Sequence, residues 1–313
     1  MAHLIFIHGI SNKPEPDELL RIWRRTLGRE DESGPGINLG SKGIGSSLIY
    51  WADVMYAAAD PDVASHESAE MDAPTGVPNE DQIDLREAAE SDAEAAWQKE
   101  MLEKYGIDPN EPMADAPVGP LEEDLERIPL PWAIKRPVMK LLVRDTHHYL
   151  FNKTYSPRPG VTYKVRDEIR SRFVAAVKAA RQDGGPVVVL AHSQGTIVSY
   201  DCLKNISDCP PIDVLITAGS PLGLDEVQDK LAPGYSRADG FPADTVTGAW
   251  YNVYDRLDVV SRPDPKLAND FRKLGTKVVE DHAQKNRGLW RHSMIEYLSG
   301  AELRASVRKA FNL

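Results

Sequence analysis

Short runs of apolar residues recur along the chain, each with Gly, Pro or Asp nearby and none alternating regularly with polar positions. This pattern is typical of strands that are buried on both faces, as in a parallel sheet. The strands predicted in this way are residues 4–7, 48–51, 186–191, 214–218, 251–254 and 277–279.

Amphipathic stretches lie between these runs. Residues 17–27 and 167–181 place apolar side chains at helical spacing, so each predicts a helix with one buried face. The two apolar faces comprise Leu19, Leu20, Trp23 and Leu27, and Ile169, Phe173, Ala176, Val177 and Ala180. Because strands and helices alternate, we expect an α/β fold: a predominantly parallel sheet with helices on both faces.

The middle of the chain has a different charge from the rest. The net charge of the 313 residues is −11, yet residues 60–127 alone hold 21 acidic and four basic residues, a net of −17. The remainder therefore carries +6, so a mildly basic body bears one strongly acidic segment. Nothing in this charge pattern indicates nucleic-acid binding.

These differences divide the chain into an α/β core, residues 1–55 and 160–313, and an insert of residues 56–159. We expect the acidic part of the insert, residues 60–127, to be partly flexible, because Pro, Ala and Gly are frequent around residues 73–78 and 109–120. The insert is either a solvated surface excursion or a lid or arm that docks a protein partner.

Two helices are predicted within the insert. Residues 81–105 contain neither Pro nor Gly and are rich in Ala, Glu and Leu, which predicts one helix with a weak apolar face. Residues 132–151 predict a second helix, and we expect it to cap the functional site because its apolar face otherwise has little to cover.

The sequence does not indicate a membrane protein or a secreted protein. No apolar run approaches the roughly 20 residues needed to cross a bilayer, and the first residues lack the features of a secretory signal. Cys202 and Cys209 are the two cysteines and do not form a disulfide framework. We expect a cytoplasmic protein without a transmembrane segment.

Candidate chemistry is concentrated after the predicted strand at 186–191. There the chain reads Ala191-His192-Ser193-Gln194-Gly195, and a helix can begin directly afterwards. A serine at the apex of a strand–turn–helix corner, with small residues two positions before and after it, is a nucleophile elbow, because strand and helix must pass close together there. Ser193 is therefore the candidate nucleophile.

A serine nucleophile needs a histidine base and a carboxylate, which follow it in the order acid, then histidine. Two histidines lie downstream, His292 in a loop and His282 just after a predicted strand, and we favour His292. Asp255 and Asp258 both follow the predicted strand at 251–254, where active sites of open α/β sheets form. We favour Asp258 and keep Asp255 as the rival.

The other histidines receive structural interpretations. His8 is expected to be a loop residue, and His192 is expected to point away from the site. Asp145, His147 and His148 could suggest a metal ion, but adjacent residues on a helix point apart, so we expect no metal there.

Taken together, these residues resemble the α/β-hydrolase superfamily of serine esterases and lipases. The matching segments are His8-Gly9-Ile10, Ala191-His192-Ser193-Gln194-Gly195-Thr196, Gly219-Ser220-Pro221-Leu222, Asp258 in Leu257-Asp258-Val259, and His292-Ser293. The sequence departs from the family at Ala191, where glycine is usual, and in residues 52–159, where the family's intermediate strands are not evident.

The resemblance implies a mechanism without metal or cofactor. Ser193 would attack an acyl carbonyl, His292 would take its proton and Asp258 would orient the imidazole. The backbone N–H groups of Ile10 and Gln194 would form the oxyanion hole. The expected substrate is a small or lipid-like carboxylic ester. An acyltransferase, thioesterase or amidase would use the same triad, and a non-catalytic scaffold on the same fold is the alternative from another class.

Overall fold

A computed structural model describes residues 1–67, 83, 85, 89–108, 132–231, 233–288 and 290–313. Its centre is a six-stranded sheet in which all neighbouring strands are parallel. The strands are β1 (Ala2–Ile7), β2 (Ile44–Ile49), β5 (Val187–His192), β6 (Val214–Ala218), β7 (Trp250–Tyr254) and β10 (Val279–Ala283). Their order across the sheet is β10-β7-β6-β5-β1-β2.

Two small antiparallel hairpins accompany this sheet, β3 (Thr154–Arg158) with β4 (Val161–Lys164) and β8 (Arg272–Lys273) with β9 (Thr276–Lys277). The described helices are α1 (Pro16–Gly28), α2 (Ala52–Met55), α3 (Val63–Glu67), α4 (Asp92–Lys104), α5 (Trp132–Leu150), α6 (Val165–Arg181), α7 (Gln194–Asn205), α8 (Asp225–Gln228), α9 (Met294–Ser299) and α10 (Ala301–Phe311).

The sheet separates two apolar clusters, because successive side chains of a strand point to opposite faces. Val187 and Val189 of β5 belong to one cluster, with residues of α5, α6 and α7. Val188 and Leu190 belong to the other, with residues of α1, α9 and α10. All six residues of β5 are buried, as expected for a central strand covered on both faces. The predicted α/β fold with helices on both faces is thus confirmed.

The last strand lies later in the sequence than predicted. The apolar run at 277–279 ends where β10 begins, and β10 itself contains Glu280, Asp281 and His282. Among the described strands, β10 lies at the edge of the sheet and pairs with β7 alone, so several of its side chains are partly or fully exposed. A search for apolar runs finds strands that are covered on both faces and misses such an edge.

The helix predicted over residues 81–105 is shorter in the structure. It begins at Asp92, because Ser91 is an N-cap whose side chain accepts a hydrogen bond from the Glu94 N–H. The described residues between 83 and 90 are not helical. The prediction of a helix close to 132–151 agrees with α5. In the acidic segment expected to be flexible, residues 68–82, 84, 86–88 and 109–127 lie outside the described residues.

Helix α4 is tied to α5 by polar contacts. Glu94 accepts a hydrogen bond from His147 at 2.8 Å and from Lys153 at 3.1 Å. Burial lowers the pKa of His147 to about 4. None of the helices in the described part of the chain combines the length and hydropathy needed to cross a membrane.

A buried arginine joins the C-terminal helix α10 to the end of α1. The guanidinium of Arg304 is fully buried and pairs with both carboxylate oxygens of Asp31, at 2.8 and 2.7 Å. It also donates to the carbonyl oxygens of Leu298, Gly34 and Arg29. These acceptors would lose their partner together if the side chain were removed.

We therefore expect Arg304→Met to lower the free energy of unfolding by about 2–4 kcal/mol, somewhat less than for a completely buried ion pair because Asp31 keeps some exposure. Lys309→Met on the same helix is the control, since Lys309 is exposed and its change should stay within about 0.5 kcal/mol. Urea unfolding monitored by circular dichroism measures both, and equal losses would contradict this account of the anchor.

Candidate active site

Ser193 occupies the sharp corner between β5 and α7. Its backbone has φ 55° and ψ −130°, a conformation that costs energy for any residue with a Cβ, and such strain is concentrated at functional sites. Its N–H donates to the Ala218 carbonyl at 3.0 Å, which ties the corner to the end of β6. Its side chain is 1% exposed.

Gly195 allows α7 to pass close to β1. A Cβ on Gly195 would lie 2.6 Å from the His8 carbonyl oxygen and 3.0 Å from that of Ile7, so only glycine fits. The loop after β1 is equally close on the other side: a Cβ on Gly9 would lie 2.8 Å from Ser193 Oγ. The pairing of β1 with β5, which sets Ile7 opposite Ala191, brings this loop to the serine.

His8 holds the peptide that follows it. The Trp51 N–H donates to His8 Nε2 at 2.9 Å, so the ring proton is on Nδ1 and donates to the Gly9 carbonyl at 2.8 Å. Burial lowers the pKa of His8 well below its ordinary value, so the ring stays neutral and keeps this tautomer. The Gly9–Ile10 peptide, whose N–H belongs to Ile10, is therefore fixed in orientation.

Lys13 binds the same loop on the C-terminal side of Ile10. Its Nζ lies 2.5 Å from the Ile10 carbonyl and 2.6 Å from Ser11 Oγ. Burial lowers the pKa of Lys13 to about 8. Gln194 is fixed as well, since its side-chain Nε2 donates to the Asp145 carbonyl of α5 at 3.0 Å. The backbone N–H of Gln194 lies in the first turn of α7, where N–H groups have no partner within the helix.

His292 and Asp258 form a buried pair. His292 Nδ1 lies 2.8 Å from both carboxylate oxygens of Asp258. Since a carboxylate only accepts, Nδ1 carries a proton and the neutral ring has its lone pair on Nε2. His292 Nε2 and Ser193 Oγ are both buried, and neither atom has a hydrogen-bond partner among the described residues. The lone pair of His292 Nε2 and the hydroxyl of Ser193 are thus both available for a new hydrogen bond.

The rival residues have other partners. Asp255 accepts from the backbone N–H groups of Leu257 at 2.7 Å and Asn286 at 2.6 Å, so it supports the loops of the site and does not contact the His292 ring. His282 lies on the edge strand β10, 3.6 Å from Glu280. The structure therefore brings Asp258 to His292, places Asp255 against the neighbouring loops, and leaves His282 on the edge strand.

His192 does not point away from the site, and that expectation was wrong. Its Nε2 donates to the His292 carbonyl at 2.8 Å, and the two rings lie 4.7 Å apart. The reason is strand alternation: Val188 and Leu190 face the cluster that includes α9, and His192 continues on that face. The segment that carries His292 leads into α9, on the same face of the sheet.

Two further residues of the site were not recognised as such from sequence. Gly219 has φ +56°, and a Cβ there would lie 2.7 Å from Asp258 Oδ2 and 2.9 Å from His292 Nδ1. Its place in the Gly-Ser-Pro-Leu segment was a usable signal. Tyr297 donates to Asp258 Oδ2 at 2.7 Å, and no motif marked it.

The residues considered for a metal ion make separate contacts. Asp145 pairs with Arg144 at 2.7 Å, while His147 bonds Glu94 and His148 bonds the Arg144 carbonyl. Across the described residues, no group of three or more His, Cys, Asp or Glu side chains is arranged to hold a metal.

Comparisons with known proteins add little to this geometry. No protein-family model matches the chain, and no curated protein does. Among solved structures, the chain is similar to an uncharacterized protein from Pseudomonas aeruginosa, at 10% identity and a TM-score of 0.34. That alignment covers 99% of this chain and 45% of the other, so this chain spans less than half the length of its match. A similarity this low supports no functional conclusion.

The tight contact at Gly219 gives a prediction. We expect Gly219→Ala to lower the free energy of unfolding by about 2–4 kcal/mol, because the methyl group adds a clash with Asp258 and His292 to the cost of a positive φ. Gly43→Ala is the matched control, since Gly43 also has a positive φ (+66°) but open space around it, and it should cost only about 1 kcal/mol. Equal losses in urea unfolding would show that the contact with the acid–base pair is unimportant for stability.

Proposed function

We propose that the protein is a serine hydrolase of carboxylic esters, of the α/β-hydrolase kind. The observation that carries the proposal is the buried His292–Asp258 pair with a free Nε2, together with the free hydroxyl of Ser193 at a strained corner. A structural His–Asp pair would have no need of a strained serine or of an unpaired ring nitrogen.

The topology supports the same proposal. The loop after β1, the corner after β5, Gly219 after β6 and Asp258 after β7 all lie at the carboxyl ends of neighbouring parallel strands, where open α/β sheets bind ligands. His292 follows β10, so serine, acid and histidine occur in the order typical of this family.

In the proposed mechanism, Ser193 Oγ attacks the ester carbonyl carbon while His292 Nε2 takes the hydroxyl proton. The negative charge on the carbonyl oxygen is stabilised by the N–H groups of Ile10 and Gln194, each worth on the order of 3 kcal/mol in the transition state. His292 then protonates the departing alcohol, which leaves an acyl ester on Ser193. Water, deprotonated by the same nitrogen, hydrolyses this ester and restores the enzyme.

The fixed loop supports this role for Ile10. His8 and Lys13 hold the peptides on either side of the Ile10 residue, so its N–H need not reorganise as charge develops. We extend the proposal to a small or lipid-like acyl substrate and to a cytoplasmic location, the latter supported by two unpaired, buried cysteines.

Covalent labelling tests the nucleophile. We expect a fluorophosphonate to add one phosphonyl group to the native chain, detected by intact mass, and to add none to Ser193→Ala. Ser199→Ala is the control, because Ser199 is also buried on α7 but bonds the Gly195 carbonyl, and this variant should label like the native chain. A folded native protein that neither labels nor cleaves nitrophenyl esters of short or medium chain length would refute the proposal.

A second comparison tests the acid. Asp258→Asn should lower kcat for a cleaved ester by about 10³ to 10⁴, because the amide no longer holds the imidazole in its productive tautomer. Asp255→Asn removes a neighbouring carboxylate that makes no contact with the His292 ring, and should lower kcat by less than about tenfold. The reverse order of effects would identify Asp255 as the acid.

A further inference from the structure

Tyr297 is buried in α9 with its hydroxyl between two polar partners. The Asp255 N–H lies 3.1 Å from the hydroxyl oxygen, and Asp258 Oδ2 lies 2.7 Å from it. An amide N–H can only donate, so the phenol oxygen accepts from Asp255 and its own proton is directed at Asp258. The direction of both hydrogen bonds is thereby fixed.

The other oxygen of Asp258 is held by its own loop. Oδ1 accepts from the backbone N–H groups of Val260 at 2.8 Å and Ser261 at 3.3 Å. His292 Nδ1 lies 2.8 Å from both oxygens, and Oδ2 also accepts from Tyr297. The carboxylate therefore accepts hydrogen bonds at both oxygens. Tyr297 is a side-chain donor that competes with His292 for the negative charge of Asp258.

We propose that Tyr297 is a positioning residue of the site: its hydroxyl fixes the orientation of Asp258 and limits how strongly that carboxylate holds a proton on His292. The proposal rests on the proposed function only in taking His292 as the catalytic base. Burial, followed by the charge of Asp258, raises the pKa of Tyr297 well above its ordinary value, so the hydroxyl remains a donor throughout the working pH range.

Removing the Tyr297 hydroxyl should move the pH at which His292 loses its proton in one predictable direction. A carboxylate that loses a hydrogen bond keeps more of its charge for the imidazolium, so His292 retains its proton to higher pH. General-base catalysis needs the neutral ring, and the acid limb of the pH profile therefore moves to higher pH. A purely packing role for Tyr297 would lower stability without moving that limb.

The neighbouring titratable groups do not obscure this readout. The His192 ring lies 5.9 Å from that of Tyr297, and burial lowers the pKa of His192 well below its ordinary value, so it stays neutral as the limb is measured. Tyr105, directly after α4, donates to the Val260 carbonyl, and burial, then the charge of Asp258, raises its pKa. The Asp255 carboxylate is occupied by backbone N–H groups, with Arg291 3.5 Å away.

The test compares Tyr297→Phe with Tyr200→Phe. Tyr200 is the matched control, because it is equally buried and donates its hydroxyl to the Gly240 carbonyl at 2.7 Å, away from the acid–base pair. Two quantities are measured against pH: the rate of fluorophosphonate labelling, and the NMR shift of the His292 Cε1 proton. The second reports protonation of the ring whether or not the protein is an enzyme.

For Tyr297→Phe we expect both midpoints to rise by about half a pH unit, and the labelling rate on the plateau to fall about three- to tenfold. Tyr200→Phe should leave both midpoints unchanged. If the native protein labels but Tyr297→Phe shifts neither midpoint, the positioning role is overturned and the hydrolase stands. If the NMR midpoint rises in a protein that neither labels nor cleaves nitrophenyl esters, the hydrolase fails while the link from Tyr297 to His292 holds.

Discussion

The absence of side-chain volume at three glycines sets the geometry on which the candidate site depends. Gly9, Gly195 and Gly219 lie where the carboxyl ends of β1, β5 and β6 converge, and a Cβ at any of them would overlap a neighbouring loop. Each close approach joins two parts of the site: Gly9 meets Ser193, Gly195 meets the backbone of β1, and Gly219 meets the acid–base pair.

Hydrogen bonds from buried polar side chains then fix the backbone segments and side chains that surround these glycines. His8 and Lys13 bind the backbone on either side of Ile10, while His192 binds the backbone of His292 and Tyr297 binds Asp258. Burial keeps the two supporting imidazoles neutral, so their tautomers and donors do not change near neutral pH. For the proposed reaction, this arrangement would leave little reorganisation to occur as charge develops, which is the source of most electrostatic catalysis.

Helices α4 and α5 also contribute to this order. Asp145 of α5 accepts from Gln194 through its carbonyl, and Tyr105 at the end of α4 bonds the loop that carries Asp258. Helices α4 and α5 are joined to each other through Glu94. Residues of α5 and of the end of α4 thus contact two different parts of the candidate site, so the positions of these helices and the geometry of the site are physically linked.

The amino-acid sequence alone determined the α/β class, the central strands and the corner at Ser193, because these follow from local rules: apolar runs, helical spacing and small residues beside a turn. It placed the edge strand β10 and the start of α4 less well, since an exposed edge has no apolar run and one N-cap serine decided the helix boundary. Only the tertiary structure distinguished Asp258 from Asp255, three residues apart on the same loop. Only it revealed His192 and Tyr297, because their roles arise from contacts with residues 100 and 39 positions away, and no local pattern encodes such contacts.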